Sequence, residues 1–142
     1  MNTLEEMPAK RKAANGHPII QLPFGLLGFE RVKSYKLLTR PGQEPFMWFQ
    51  MVGETQKAFL VVPPQTILPD YHPQLAGTDA AFLGLKDPRE ALVLNIVTLR
   101  SGGPATVNLK GPIVINRRTF IGKQVIPANA ADYAVKHPLP LA

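Results

Sequence analysis

Three histidines, His17, His72 and His137, each stand immediately before a proline. Imidazole is the commonest side-chain ligand for metals, but a zinc site needs three or four donors converging on one point. These three lie far apart along the chain, so only the fold could gather them, and neither a metal nor a cofactor is expected. Asp70 stands in "PDYH", inside a long loop. A general base needs a companion acid or nucleophile within hydrogen-bond reach. The nearest carboxylate is Asp79, and no serine or cysteine is close by. Asp70 is therefore read as a turn former whose side chain accepts from nearby backbone N–H groups, with contact to a partner as the second reading for Asp70 and Tyr71. "SGGPA" at Ser101–Ala105 lacks the lysine and the following helix of a phosphate loop, and reads as a hairpin turn. Phe46, Trp48 and Phe49 could stack nucleobases, yet positions 46 and 48 share one strand face, which is the pattern of core packing. These residue types and spacings form no enzymatic site.

Side chains that donate and accept hydrogen bonds are instead concentrated in "NLKGPIVINRRTFIGKQVI", Asn108 to Ile126. It holds no nucleophile, no paired carboxylates and no metal-ligand spacing. Asn108, Lys110, Asn116, Arg117, Lys123 and Gln124 fall on strand or hairpin positions, where a rigid sheet could present them to a protein partner. The formal net charge is +6. Residues 17–99 are balanced, whereas Arg100, Lys110, Arg117, Arg118, Lys123 and Lys136 face Asp132 alone in the last third. A solvated basic face is the plain reading. The alternative is a small basic β-barrel that binds single-stranded RNA directly, with affinity falling steeply as salt rises.

The elements that must position these groups follow from pattern. A chain of 142 residues is long enough to bury one core. It has no cysteine, which suits a reducing compartment. No apolar run reaches the ~18 residues of a membrane helix, and "MNTLEEMPAKRKAANGH" lacks the apolar block of a signal peptide, so the cytoplasm is expected. Residues 1–16 read as a flexible leader and 17–142 as a single domain. Across the chain 15 prolines and 11 glycines are dispersed between short apolar runs, which predicts short strands and tight turns. "HPIIQL", "SYKLLT", "FMWFQMV" and "KAFLVVP" are the first strands, the last two joined as an antiparallel hairpin. "PPQTILPDYHPQLAG" is an irregular crossing. A helix is predicted from about Thr78 or Asp79 to Gly84, and a second one capped by Asp87, with Pro88 and Glu90 in their preferred places. "ALVLNIVTLR" is apolar on both faces and should be central, followed by "ATVNLKG", "PIVINRR" and "FIGKQVI". The fold class is mostly β, a small antiparallel barrel or sandwich-like domain with one or two short helices.

Taken together, "LPFGLLGFE", "FMWFQ", "AFLVVPP", the "PDY" loop, "LVLNIVTL", "ATVNLKGPIVIN", "GKQVI" and the ending "HPL" resemble the FliW family of bacterial flagellar assembly factors, over roughly residues 17–139. The resemblance implies a binding protein without chemistry of its own. Its partners would be flagellin, held in the cytoplasm before export, and CsrA, the RNA-binding regulator that silences flagellin translation. The two would bind alternately, CsrA being engaged away from its RNA face, so that the antagonism is noncompetitive. No direct contact with nucleic acid or membrane is implied, and a monomer is expected. Family members are acidic, whereas this chain is basic; repulsion of RNA by charge is therefore a poor mechanism here. The tail "KHPLPLA" adds Lys136, His137 and Leu139 as contact candidates, with Leu141 beyond them. Its prolines keep it extended, either to dock on a partner or to fold back onto its own domain.

Overall fold

The computed structural model describes residues 16–53 and 57–139. Of the leader read from sequence, residues 1–15 lie outside the described residues, as do Leu141 and positions 54–56 of the first hairpin turn. Nine strands are described: β1 (Ile19–Gln21), β2 (Ser34–Leu38), β3 (Met47–Met51), β4 (Ala58–Val62), β5 (Ala91–Thr98), β6 (Thr106–Val107), β7 (Ile113–Asn116), β8 (Gly122–Gln124) and β9 (His137–Pro138). Every ladder is antiparallel. The sheet runs β1-β2-β3-β4-β5-β6-β9, and a branch leaves β5 through β7 to β8. Its two ends approach where the Gln21 amide donates to the Phe120 carbonyl at 2.9 Å, beside an isolated parallel bridge from Gln21 to Ile121. The sheet curls without closing.

Alternation explains which side curls inward. Tyr35 and Leu37 of β2, and Met47, Phe49 and Met51 of β3, are buried while their neighbours are half-buried. They meet Ile20, Leu22, Leu92, Leu94, Ile113, Ile115 and Phe120 in the main core. Tyr35 and Phe49 stack there with ring centroids 4.6 Å apart. β5 is long enough to pair with β4 and β6 at one end and β7 at the other, which is why its sequence is apolar on both faces. Asn95, the interruption in that run, is fully buried. Its Nδ2 donates to the Asn108 carbonyl at 2.8 Å and to the Tyr71 hydroxyl at 3.3 Å, fastening the proline-rich crossing to the sheet.

The helix forms as α1 (Gly77–Leu83) and ends at Gly84, whose φ of +67° is the left-handed conformation glycine adopts without strain. The second predicted helix is a single 3-10 turn at Pro88–Glu90. Its capping box is formed as read from sequence, but β5 begins at the next residue and leaves no room for an α-turn. "ATVNLKG" contributes only two residues to a strand. The Asn108 Oδ1 accepts from the amides of Lys110 and Gly111 at 3.0 and 3.1 Å, which folds the backbone into a turn and ends the ladder. The tail folds back: β9 pairs with β6, and Leu139 enters a second core with Val62, Tyr71, Val97 and Val107.

Candidate protein-docking surface

The loop between β1 and β2 carries Phe24 and Leu27 on a turn that has no strand face on which to bury them. Gly25 holds that turn at φ +67°, and a Cβ there would come within 2.6 Å of the Glu30 backbone, so only glycine fits. Phe24 is 54% exposed and Leu27 83%. Beyond them stand Ile126, following β8, and Val135, preceding β9, at 66% and 52% exposure. The four line one open depression of about 390 Å³ together with Asn108, Lys110 and Gln124. Contiguous exposed apolar side chains with a polar rim mark interaction surfaces in soluble proteins.

The polar residues act mainly as a frame. The Gln124 Oε1 accepts from the Leu27 amide at 2.8 Å, and its Nε2 donates to the Gly111 carbonyl at 3.1 Å. One side chain thus ties the apolar loop to the turn that Asn108 shapes. Lys123 forms an ion pair with Asp79 of α1 at 2.5 Å and sits 5.2 Å from the ring centroid of Phe24 and 5.9 Å from that of Phe82. Phe24 and Phe82 are themselves in tilted contact at 5.1 Å. Glu30 accepts from the Gly28 amide at 2.9 Å, and that bond, first among its causes, holds its carboxyl below the ordinary glutamate value. Lys110 makes no ion pair among the described residues and remains available at the rim.

Of the contact residues read from sequence, Asn108, Lys110 and Gln124 therefore line this surface, and Lys123 braces it from behind. Lys136 is exposed, next to Val135, and His137 is half-buried in β9. Asp70 is exposed on the crossing, where the Tyr71 amide donates to the Leu68 carbonyl to close its turn; no described group bonds its carboxylate. Arg117 lies elsewhere, in a cleft beside β5. Three residues must be corrected. Asn116 is fully buried, its Nδ2 donating to the Leu83 carbonyl at 2.8 Å and its Oδ1 accepting from the Arg118 amide at 2.8 Å. Tyr71 is buried and donates to the Leu109 carbonyl at 2.6 Å, and Leu139 is buried in the second core. All three are occupied inside the fold and present no side chain to a partner. Sequence reading missed Phe24, Leu27, Phe82, Ile126 and Val135. The signal for the first two was two large apolar residues placed on a turn marked by Pro23, Gly25 and Gly28 rather than on a strand.

No group of three or more potential metal ligands occurs among the described residues, and no helix among them is long and apolar enough to cross a membrane. A family model described as FliW protein matches residues 5–139. Flagellar assembly factors FliW of Leptospira interrogans and Natranaerobius thermophilus are 34% and 37% identical, over 89% and 88% of this chain and 85% and 83% of their own. That of a Clostridium botulinum strain is 38% identical over 85% of each chain. A crystal structure of the flagellar assembly factor FliW superimposes with a TM-score of 0.77 at 30% identity, covering 84% of both chains. The family model, the sequence relatives and the mostly antiparallel fold agree, and the chain belongs to the FliW family.

Proposed function

We propose that this protein is a cytoplasmic flagellar assembly factor that works as a partner switch, without catalysis. It binds flagellin before export. When flagellin is scarce it binds the translational regulator CsrA instead and relieves repression of the flagellin message. The observation that carries this reading is the exposed apolar depression around Leu27, held in shape by Gln124 and Asn108 within a family of flagellar assembly factors. A surface of this kind buries apolar area on a protein and has no use in a reaction. The positive charge of the chain argues that CsrA loses RNA by occlusion or by a shift of its conformation, so that RNA does not compete for the same surface.

The test is a three-way titration with purified monomer, flagellin and CsrA. Flagellin is expected to displace CsrA, and excess RNA is expected to lower the apparent affinity for CsrA without simple competitive behaviour. Failure of the protein to bind either partner would remove the switch reading. Tight, salt-sensitive binding of short single-stranded RNA by the isolated protein would replace it with the RNA-binding one.

A further inference from the structure

A second cleft, of about 700 Å³, lies on the other side of α1: Ala80 of that helix lines it, whereas Phe82 contacts Phe24 of the apolar surface. Two observations set this cleft apart. The first is an open sheet edge. β4 pairs with β5 only as far back as Asn95, because Pro63 and Pro64 turn the chain away. β7 pairs with Ala91 to Leu94 along the opposite edge. On that edge the Glu90 and Ile96 carbonyls accept from Arg117 and Asn108. Main-chain groups of a strand alternate sides, so those of Val93 point the other way, into the cleft. The Pro63 and Pro64 carbonyls are already taken by Thr66, Ile67 and Leu68, and on this side no strand among the described residues lies alongside Val93.

The second observation is an unsatisfied cation. The Arg117 Nε is buried with no hydrogen-bond partner, and its guanidinium forms no ion pair among the described residues. Its neighbour Arg118 is the one that pairs with Glu90, at 2.6 Å. Asp87, also at the cleft, is held by Arg89 at 2.8 Å. A buried N–H donor without an acceptor is costly, and a carboxylate is the group that fits the planar donors of a guanidinium. The Arg117 backbone lies across β5, level with Glu90 and roughly 10 Å along the strand from Val93, and Arg117 lines the same cleft as Val93.

We propose that this cleft is a second docking site, in which an extended, carboxylate-bearing segment of a protein partner adds to the β5 edge at Val93 and seats its carboxylate on Arg117. Main-chain bonds to the free edge supply affinity and the arginine selects the acidic side chain. Leu75 and Leu85, half-buried at the wall, receive the segment's apolar side chains. The site is separate from the depression at Leu27, so it does not depend on the partner switch.

The test uses two probe peptides, acetyl-Glu-Thr-Val-Thr-Val-Thr-amide and its twin with glutamine in place of glutamate, titrated into the isotope-labelled full chain by NMR. In the free protein the Val93 amide should exchange with solvent much faster than that of Leu94. The acidic peptide should shift the Val93 amide and the Arg117 side chain, bind about tenfold or more tightly than its twin, and lose that advantage against Arg117→Gln. The peptide comparison on the wild-type chain keeps the result independent of how well the variant folds. A protected Val93 amide, equal binding of the two peptides, shifts confined to Leu27 and Ile126, or no binding up to millimolar peptide would each overturn the proposal.

Discussion

Leu27→Ala isolates the apolar surface better than any other substitution, because Leu27 is 83% exposed and its amide, not its side chain, is what Gln124 holds. Phe24 is less suitable, since it also packs against Phe82 and Lys123. Truncation of leucine to alanine removes three carbons, each worth about 0.8 kcal/mol when buried, or about 2.4 kcal/mol for complete burial. Scaling by the exposure available to a partner leaves about 2 kcal/mol, a weakening of roughly 30-fold in Kd. Stability should move by no more than about 0.5 kcal/mol, because the side chain supports nothing inside the fold. Isothermal titration of flagellin and of CsrA, with thermal unfolding of the same preparation, measures both quantities. Unchanged affinity for both partners together with an unchanged unfolding midpoint would refute the assignment of this surface.

The other predictions concern the frame. Asn116→Ala leaves the Leu83 carbonyl and the Arg118 amide without their partner and should cost about 2–4 kcal/mol in urea unfolding, while the affinity of the fraction that remains folded is unchanged. Gly25→Ala, with its Cβ 2.6 Å from the Glu30 backbone and a φ of +67°, should destabilise by about 1–3 kcal/mol and weaken partner binding by displacing Phe24 and Leu27; unchanged crystal positions for that loop would count against the reasoning. Burial pushes the phenols of Tyr35 and Tyr71 up to about 12 from an ordinary 10.0. The unfolded chain loses these protons first, so the stability they contribute is complete below about pH 10 and is lost as pH rises through about 12. Phenolate absorbance against pH, read alongside unfolding by circular dichroism, should show both tyrosines ionising together with loss of structure; early titration of either in the intact fold would contradict it.

Strands and turns were legible because they obey local rules. The strands in "SYKLL" and "MWFQM" and the Asp87–Glu90 capping box formed where the pattern placed them. The face taken by the main core, however, is that of Met47, Phe49 and Met51, and Trp48, read as core packing, is half-buried on the other face. The fate of the polar residues was not legible. Asn108 and Asn116 carry the same side chain eight positions apart, yet one shapes a rim turn and the other is sealed under α1, a difference set by what packs above them. Residue type gives hydrogen-bonding capacity and does not say whether a neighbour in space has already used it. The apolar surface was missed for a related reason: Leu27 lies about a hundred residues from Ile126 and Val135, and only tertiary contact makes them one feature.

The long β5 strand has a consequence for how the chain can be divided. Segments before it bring Ile20, Tyr35 and Phe49, and segments after it bring Ile113, Ile115 and Phe120, into the same interior. Neither half can complete that interior alone, because β5 receives β4 from one side and β7 from the other. Contacts this distant in sequence place the protein among slow, all-or-none folders. A break in the crossing near Pro73 would therefore leave two fragments that order themselves only on meeting.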